Sequence, residues 1–240
     1  MIGYNVEKIN ELMNSLLGSY LDLAETISSG WPALSAKMEA EWIGPDEVDY
    51  ETTLAKGIVS IYNACHKNVS DMIQNIFTLG MNWKSFQATN KMVEGEGAVV
   101  PVGELTKPDV PSVDISLLVK PGNPVFTAST NMGLANGAES GTAIKQQFDA
   151  YIDEVYKGVK GLYEALDSSK AFLGTELNSA VNTYLQSMGE AMAKLTTCHR
   201  TIYEALDKLI AGYTTHESSE ATNVSGAASA EVNYNNQNLR

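Results

Sequence analysis

Two adjacent pairs, Cys65-His66 and Cys198-His199, hold the side chains from which a thiolate nucleophile with its base, or a zinc site, could be built. Neighbours on a helix point about 100° apart, so neither pair can chelate an ion or relay a proton within itself. Zinc would need four ligands converging from separate helices, and no CxxC or HxxxH spacing is present. No glycine-rich phosphate loop, nucleophile elbow or metalloprotease helix occurs either. The expectation is a core cysteine beside a surface histidine in each pair, with no catalytic residue, no metal and no cofactor. Trp31 and Trp83 read as aromatics capping bundle ends, and Met72, Met188 and Met192 as core filler.

The elements carrying these residues follow from hydrophobic spacing. Ile9, Met13, Leu16, Tyr20, Leu23 and Ile27 fall at intervals of four and three, one face of a first helix. Gly30-Trp31-Pro32 predicts a break or kink, because Pro32 cannot donate to the helical ladder, with a short helical piece resuming over 33–41. Trp42-Ile43-Gly44-Pro45-Asp46-Glu47 reads as a stop followed by a start: Gly44 suits a helix end, Pro45 a first helical position, and the two acids the positive end of the next helix dipole. A second helix shows Leu54, Ile58, Ile61, Cys65, Val69, Met72, Ile76 and Leu79, fading near 80–87.

Residues 93–141 change character. Prolines 101, 108, 111, 121 and 124 forbid a long helix, and the β-prone PSVDISLLVK and NPVFTAST predict an ordered extended arm or a short β-hairpin within this linker. Helical spacing returns at Ile144, Phe148, Ile152, Val155, Val159, Leu162 and Leu166, stops at Phe172-Leu173-Gly174, and restarts at Thr175-Glu176. It continues through Leu177, Val181, Leu185, Met188, Met192, Leu195, Cys198, Ile202, Leu206 and Leu209. The Ser/Asn/Ala-rich stretch from 215 onward reads as a disordered tail. The division is a first hairpin (1–92), a linker (93–141), a second hairpin (142–214) and a tail (215–240). Helices of roughly 35 residues are on the order of 50 Å long, and one apolar seam per hairpin calls for a partner. The fold class is all-α, the two hairpins packing as a four-helix bundle within one chain or between chains.

Charge narrows the partners. A formal net charge of −13 and a pI near 4.6 offer no excess of Lys or Arg to release the counterions of nucleic acid or of anionic lipid headgroups, so neither is expected as a partner. No apolar run approaches the roughly 18 residues that span a bilayer, and the N-terminus lacks the basic-then-apolar order of a secretory signal. Two cysteines make no disulfide framework, which points to synthesis in a reducing cytoplasm.

A hairpin of two long helices joined by Trp42-Ile43-Gly44 resembles the WXG superfamily, the ESAT-6-like small helical proteins exported by type VII (ESX-like) secretion systems. The resemblance covers about residues 1–90 and 140–217, with Phe172 and Gly174 as a degenerate second turn. It implies a composite export signal, the Trp-x-Gly turn of one hairpin beside a Tyr-x-x-x-Asp/Glu after the second helix of the other. That spacing occurs as Tyr163 with Asp167, Tyr203 with Asp207, and Tyr213 with Glu217. The first two lie inside helices as a repeated YEALD, whereas Tyr213 and Glu217 sit where the last helix is expected to end, so Trp42, Gly44, Tyr213 and Glu217 form the expected signal.

The resemblance thus implies a tandem fused pair of hairpins. The expected function is that of a non-enzymatic protein, secreted or cell-surface without a cleavable signal peptide. Its partners would be the type VII machinery and another helical hairpin protein or itself. The alternatives are a structural or adaptor coiled-coil protein, or a membrane-perturbing helical protein whose hairpins open to expose their seams.

Overall fold

A computed structural model describes residues 6–89, 104–114, 118, 133–170 and 175–237. Within these, the side chains of Cys198, Tyr213, Glu217 and residues 220–237, among others, lie outside the description. Four helices dominate: α1 (Val6–Glu41), α2 (Pro45–Thr89), α3 (Ala138–Ser169) and α4 (Thr175–Gln237). Most seam positions read from the spacing are inside, with Ile9, Leu79 and Met192 partly buried and the side chains of Leu177, Cys198, Ile202 and Leu209 outside the description. Met13, Leu16, Tyr20, Leu23 and Ile27 of α1, and Leu54 through Ile76 of α2, are buried, as are all seven seam positions of α3. On α4, Val181, Leu185, Met188, Leu195 and Leu206 of the seam are buried.

The helices pack α1 on α2, α1 on α3, α3 on α4 and α2 on α4, a closed ring about one core within a single chain. Every contact in the ring is antiparallel. Tyr20 meets Tyr62 and Ser35 meets Glu51 between α1 and α2; Leu23 faces Gly158 and Gly30 faces Tyr151 between α1 and α3. Asn68 bonds Ser187 and Asn75 bonds Tyr184 between α2 and α4, while Asp149 meets His199 and Lys145 meets Asp207 between α3 and α4. Helices α2 and α3 therefore run in the same direction, and the end of α2 and the start of α3 lie at opposite ends of the ring.

The part of the linker that is described lies along α1 and α2 in an extended course. Glu104 and Thr106 bond Asn10, and Pro111 and Val113 bond Tyr20 and Tyr62. Asp114 and Leu118 then share with Ser28, Trp31, Pro32 and Ser35 the wall of a cavity of about 280 Å³. The strap thus runs parallel to α1, with Leu105 and Leu118 buried.

Several expectations change. α1 passes through Pro32 without a break. The lost bond to the Ser28 carbonyl and the ring clash cost about 3 kcal/mol. Burial of Ile27, Trp31, Leu34 and Met38 on the inner face, at roughly 1.5–3 kcal/mol each, outweighs that cost. Trp31 accordingly sits within the core, its ring 6.0 Å from that of Tyr151, and does not cap an end. α3 begins at Ala138, ahead of 142, and β2 of the linker pairs with the first turn; residues 119–132, which include the β-prone NPVFTAST, lie outside the described residues. Most of the expected tail is helix: α4 continues to Gln237, through a stretch rich in Ala and free of Pro.

Candidate functional site

The Trp42 turn is built where four elements meet. α1 stops at Glu41, Trp42 and Ile43 form strand β1, Gly44 bends, and Pro45 opens α2 at the first helical position. β1 pairs antiparallel with β2 (Gly133–Leu134), Trp42 opposite Leu134 and Ile43 opposite Gly133. The Ala135 N–H donates to the Glu41 carbonyl at 2.9 Å. Trp42 is buried at 2% exposure and its ring lies 4.9 Å from Tyr50, one turn into α2. The indole therefore closes this end of the core; it is not displayed on the surface.

Glu41 locks the turn to α3. Its carboxylate accepts from Lys37 Nζ at 2.8 Å and from the buried Ser140 hydroxyl at 2.5 Å, and Ser140 Oγ in turn accepts the Asn136 N–H at 2.9 Å. Gly137 makes the corner at φ 58°, a left-handed conformation that a side chain would strain. The bonds from Lys37, Ser140 and Asn136 hold the Glu41 carboxyl below its ordinary value of 4.5. A carboxylate depressed in the folded state contributes stability that is present above the unfolded value and lost as pH falls through the folded one. Urea midpoints of the wild type and Glu41→Gln should therefore differ at pH 7 and converge on acidification below about pH 4. An unchanged difference at low pH would exclude this lock.

Gly141, at the start of α3, lies against Ile210 of α4 and Leu134 of β2; a Cβ there would fall 2.3 Å from Ile210 and 3.2 Å from Leu134. The Trp42 turn and the α4 turn just before Tyr213 thus share one end of the ring. The expectation that the last helix stops near Tyr213 is corrected: Tyr213 and Glu217 lie within α4, and their side chains are outside the description. Exposed positions surround them, namely Ala211, Gly212, Thr214, Thr215, His216 and Ser219. Phe172 and Gly174, the degenerate second turn, lie outside the described residues.

Of the remaining chemical candidates, Cys65, His66 and His199 pack within or between the helices, and the Cys198 side chain lies outside the description. Cys65 is fully buried, and burial pushes its thiol up to about 12, far from a usable thiolate. His66 lies against the rings of Tyr20 and Tyr62. His199 Nε2 meets Asp149 Oδ1 at 2.9 Å across α3 and α4 and packs on Phe148 and Tyr203. In the second YEALD, Lys145 covers the Tyr203 ring and pairs with Asp207. Among the described residues no three His, Cys, Asp or Glu side chains converge to hold a metal ion, and no helix is long and apolar enough to cross a membrane. The Glu41–Ser140 lock and the linker anchors Asn10 and Tyr62 have no signal in the spacing, because their partners are distant in sequence. No family model, curated protein or solved structure matches the chain.

Proposed function

We propose that the chain is a non-enzymatic four-helix-bundle protein made of two fused WXG-like hairpins, and that it is a substrate or partner of a type VII (ESX-like) secretion system, secreted or held at the cell surface. The observation that carries this reading is the meeting of two segments at one end: the Trp42-Ile43-Gly44 turn, through Leu134, and Ile210, three residues before Tyr213. A receptor that reads the turn through its exposed Ile43, in a backbone shape set by the buried Trp42, beside a Tyr-x-x-x-Glu segment would find both on one chain, with no need for a second protein. The described neighbours of Tyr213, namely Ala211, Gly212 and Thr214, are exposed.

The experiment compares culture supernatants for the wild type, Trp42→Phe and Tyr213→Ala in a host carrying the matching secretion system. The expected result is release of the wild type and at least about tenfold less release of Tyr213→Ala, with all three chains equally folded in the cell. Equal release of all three removes the composite signal.

A second reading has its own observation. From Ala211 to Gln237 α4 continues as helix beyond Ile210, which packs on Gly141 of α3. A sequence so rich in Ser, Thr and Asn makes a marginal helix when it stands alone in water, so a docking role in a larger assembly fits it. Retention of the wild type in cells together with co-purifying helical proteins would favour that adaptor role.

A further inference from the structure

The strap is held by side chains that address its main chain. Asn10 Nδ2 donates to the Glu104 carbonyl at 2.9 Å, and the Thr106 N–H donates to Asn10 Oδ1 at 3.1 Å, so one side-chain amide pairs with the strap as a neighbouring strand would. Farther along, the Val113 N–H donates to Tyr62 Oη at 2.7 Å, the Tyr62 and Tyr20 hydroxyls are 2.5 Å apart, and Tyr20 donates to the Pro111 carbonyl at 2.8 Å. Only one direction closes this series: Tyr62 donates to Tyr20, and each hydroxyl then accepts once or donates once to the strap. None of these bonds reads a strap side chain, and none calls on the N–H that Pro111 lacks.

Most of the selectivity lies in the apolar positions. Leu105 and Leu118 are buried, and Val110 and Val113 pack half-buried on the core. Glu104, Thr106, Lys107, Asp109, Pro111, Ser112 and Asp114 are exposed, and of these Lys107 reaches back to α2, its Nζ donating to Gln74 Oε1 at 3.0 Å. The strap has no repeating ladder and little burial beside the helices, which puts it at the low end of local stability. The groove beneath it is the opposite: Tyr20 and Tyr62 are essentially inaccessible, and an empty groove would strip their hydroxyls of strap partners and uncover the sites of two leucines.

We propose that the groove between α1 and α2 is an extended-peptide-binding site, occupied here in cis by residues 104–114 and Leu118. It takes a segment of another protein that is extended, tolerates proline and carries apolar side chains at the strap's spacing. Main-chain bonds from Asn10, Tyr20 and Tyr62 supply affinity, and the pockets for Leu105, Val113 and Leu118 supply preference. The site is closed while the strap is seated.

The test uses the full chain. Leu105→Ser with Val113→Ser loosens the strap and leaves the groove intact, and a fluorescein-labelled peptide of residues 104–118, ELTKPDVPSVDISLL, is titrated by anisotropy. The loosened chain should bind the peptide at least about tenfold more tightly than the wild type, and Asn10→Ala or Tyr62→Phe added to it should weaken binding by about tenfold. Absence of binding by a loosened chain with wild-type circular dichroism overturns the proposal, as does binding that neither groove substitution changes. Wild type that dimerises with concentration while the peptide fails to bind gives the groove to a second copy, and also overturns it. Hydrogen exchange on the wild type guards against a loosened chain that does not fold: the Thr106 and Val113 amides should exchange well ahead of the core helices, and exchange in step with them would show that the strap does not open by itself.

Discussion

Trp42→Ala is expected to lower the stability of the folded chain by about 3–5 kcal/mol, since aromatic truncations in a core cost that much. The indole is almost completely buried, against Tyr50 on one side and within the β1–β2 pair on the other. Its removal leaves a cavity at the junction of α1, α2 and β2, where the Glu41 lock and the Ala135 bond hold the backbone in place and hinder collapse. The measurement is the urea midpoint, with Trp42→Phe expected to recover most of the loss. A change below about 1 kcal/mol for Trp42→Ala would mean that the turn does not close the core. The result also bears on the secretion comparison: alanine at this position lowers stability whatever the turn does in export, which is why Trp42→Phe takes its place there.

Tyr151→Ala should cost a similar 3–5 kcal/mol, and it tests a different joint. Tyr151 is the aromatic by which α3 meets α1: it lies edge-on to Trp31, reaches the Ile27 carbonyl with its hydroxyl at 3.4 Å, and sits over Gly30 so closely that a Cβ there would fall 2.8 Å from its ring. Gly30→Ala in the wild type gains about 1 kcal/mol of helix propensity and loses about 1–3 to overpacking, a net destabilisation. Beside Tyr151→Ala the clash is gone and the same change should stabilise. That reversal of sign, read in a double-mutant cycle, holds only if the two hairpins pack as the ring describes. Strictly additive effects would refute the contact.

The four helices could be read from spacing because each seam is a local pattern. Phe148, Val155 and Leu162 reveal their common face without reference to any other part of the chain, and the restart at Pro45 is encoded by three adjacent residues. Pro32 misled for the same reason: the rule against proline in helices is local, whereas what carries α1 through it is burial against α3, far along the chain. The strap was foreseen only as an extended arm. Its anchors are Asn10, a polar residue with no periodic signature, Tyr62, off the α2 seam, and Tyr20, whose place on the α1 seam gives no sign of the strap, all bonded to residues dozens of positions away. At the candidate site, Trp42 and Gly44 were visible as a turn. Their closeness to α4 depends on the packing of both hairpins, which no spacing in the sequence expresses.

The shared direction of α2 and α3 sets a minimum on the chain between them. A short reversal after Thr89 would send the next helix back alongside α2, so the observed order needs a connection that travels the length of α1. From Asn10 to Trp31 that is about 30 Å at 1.5 Å per residue, which an extended chain covers at about 3.3 Å per residue. The linker is therefore a ruler as well as a tether: trimmed below the span it must cross, it would leave the second hairpin able to reach only the first hairpin of another molecule, and the same sequence of helices would assemble as an exchanged dimer.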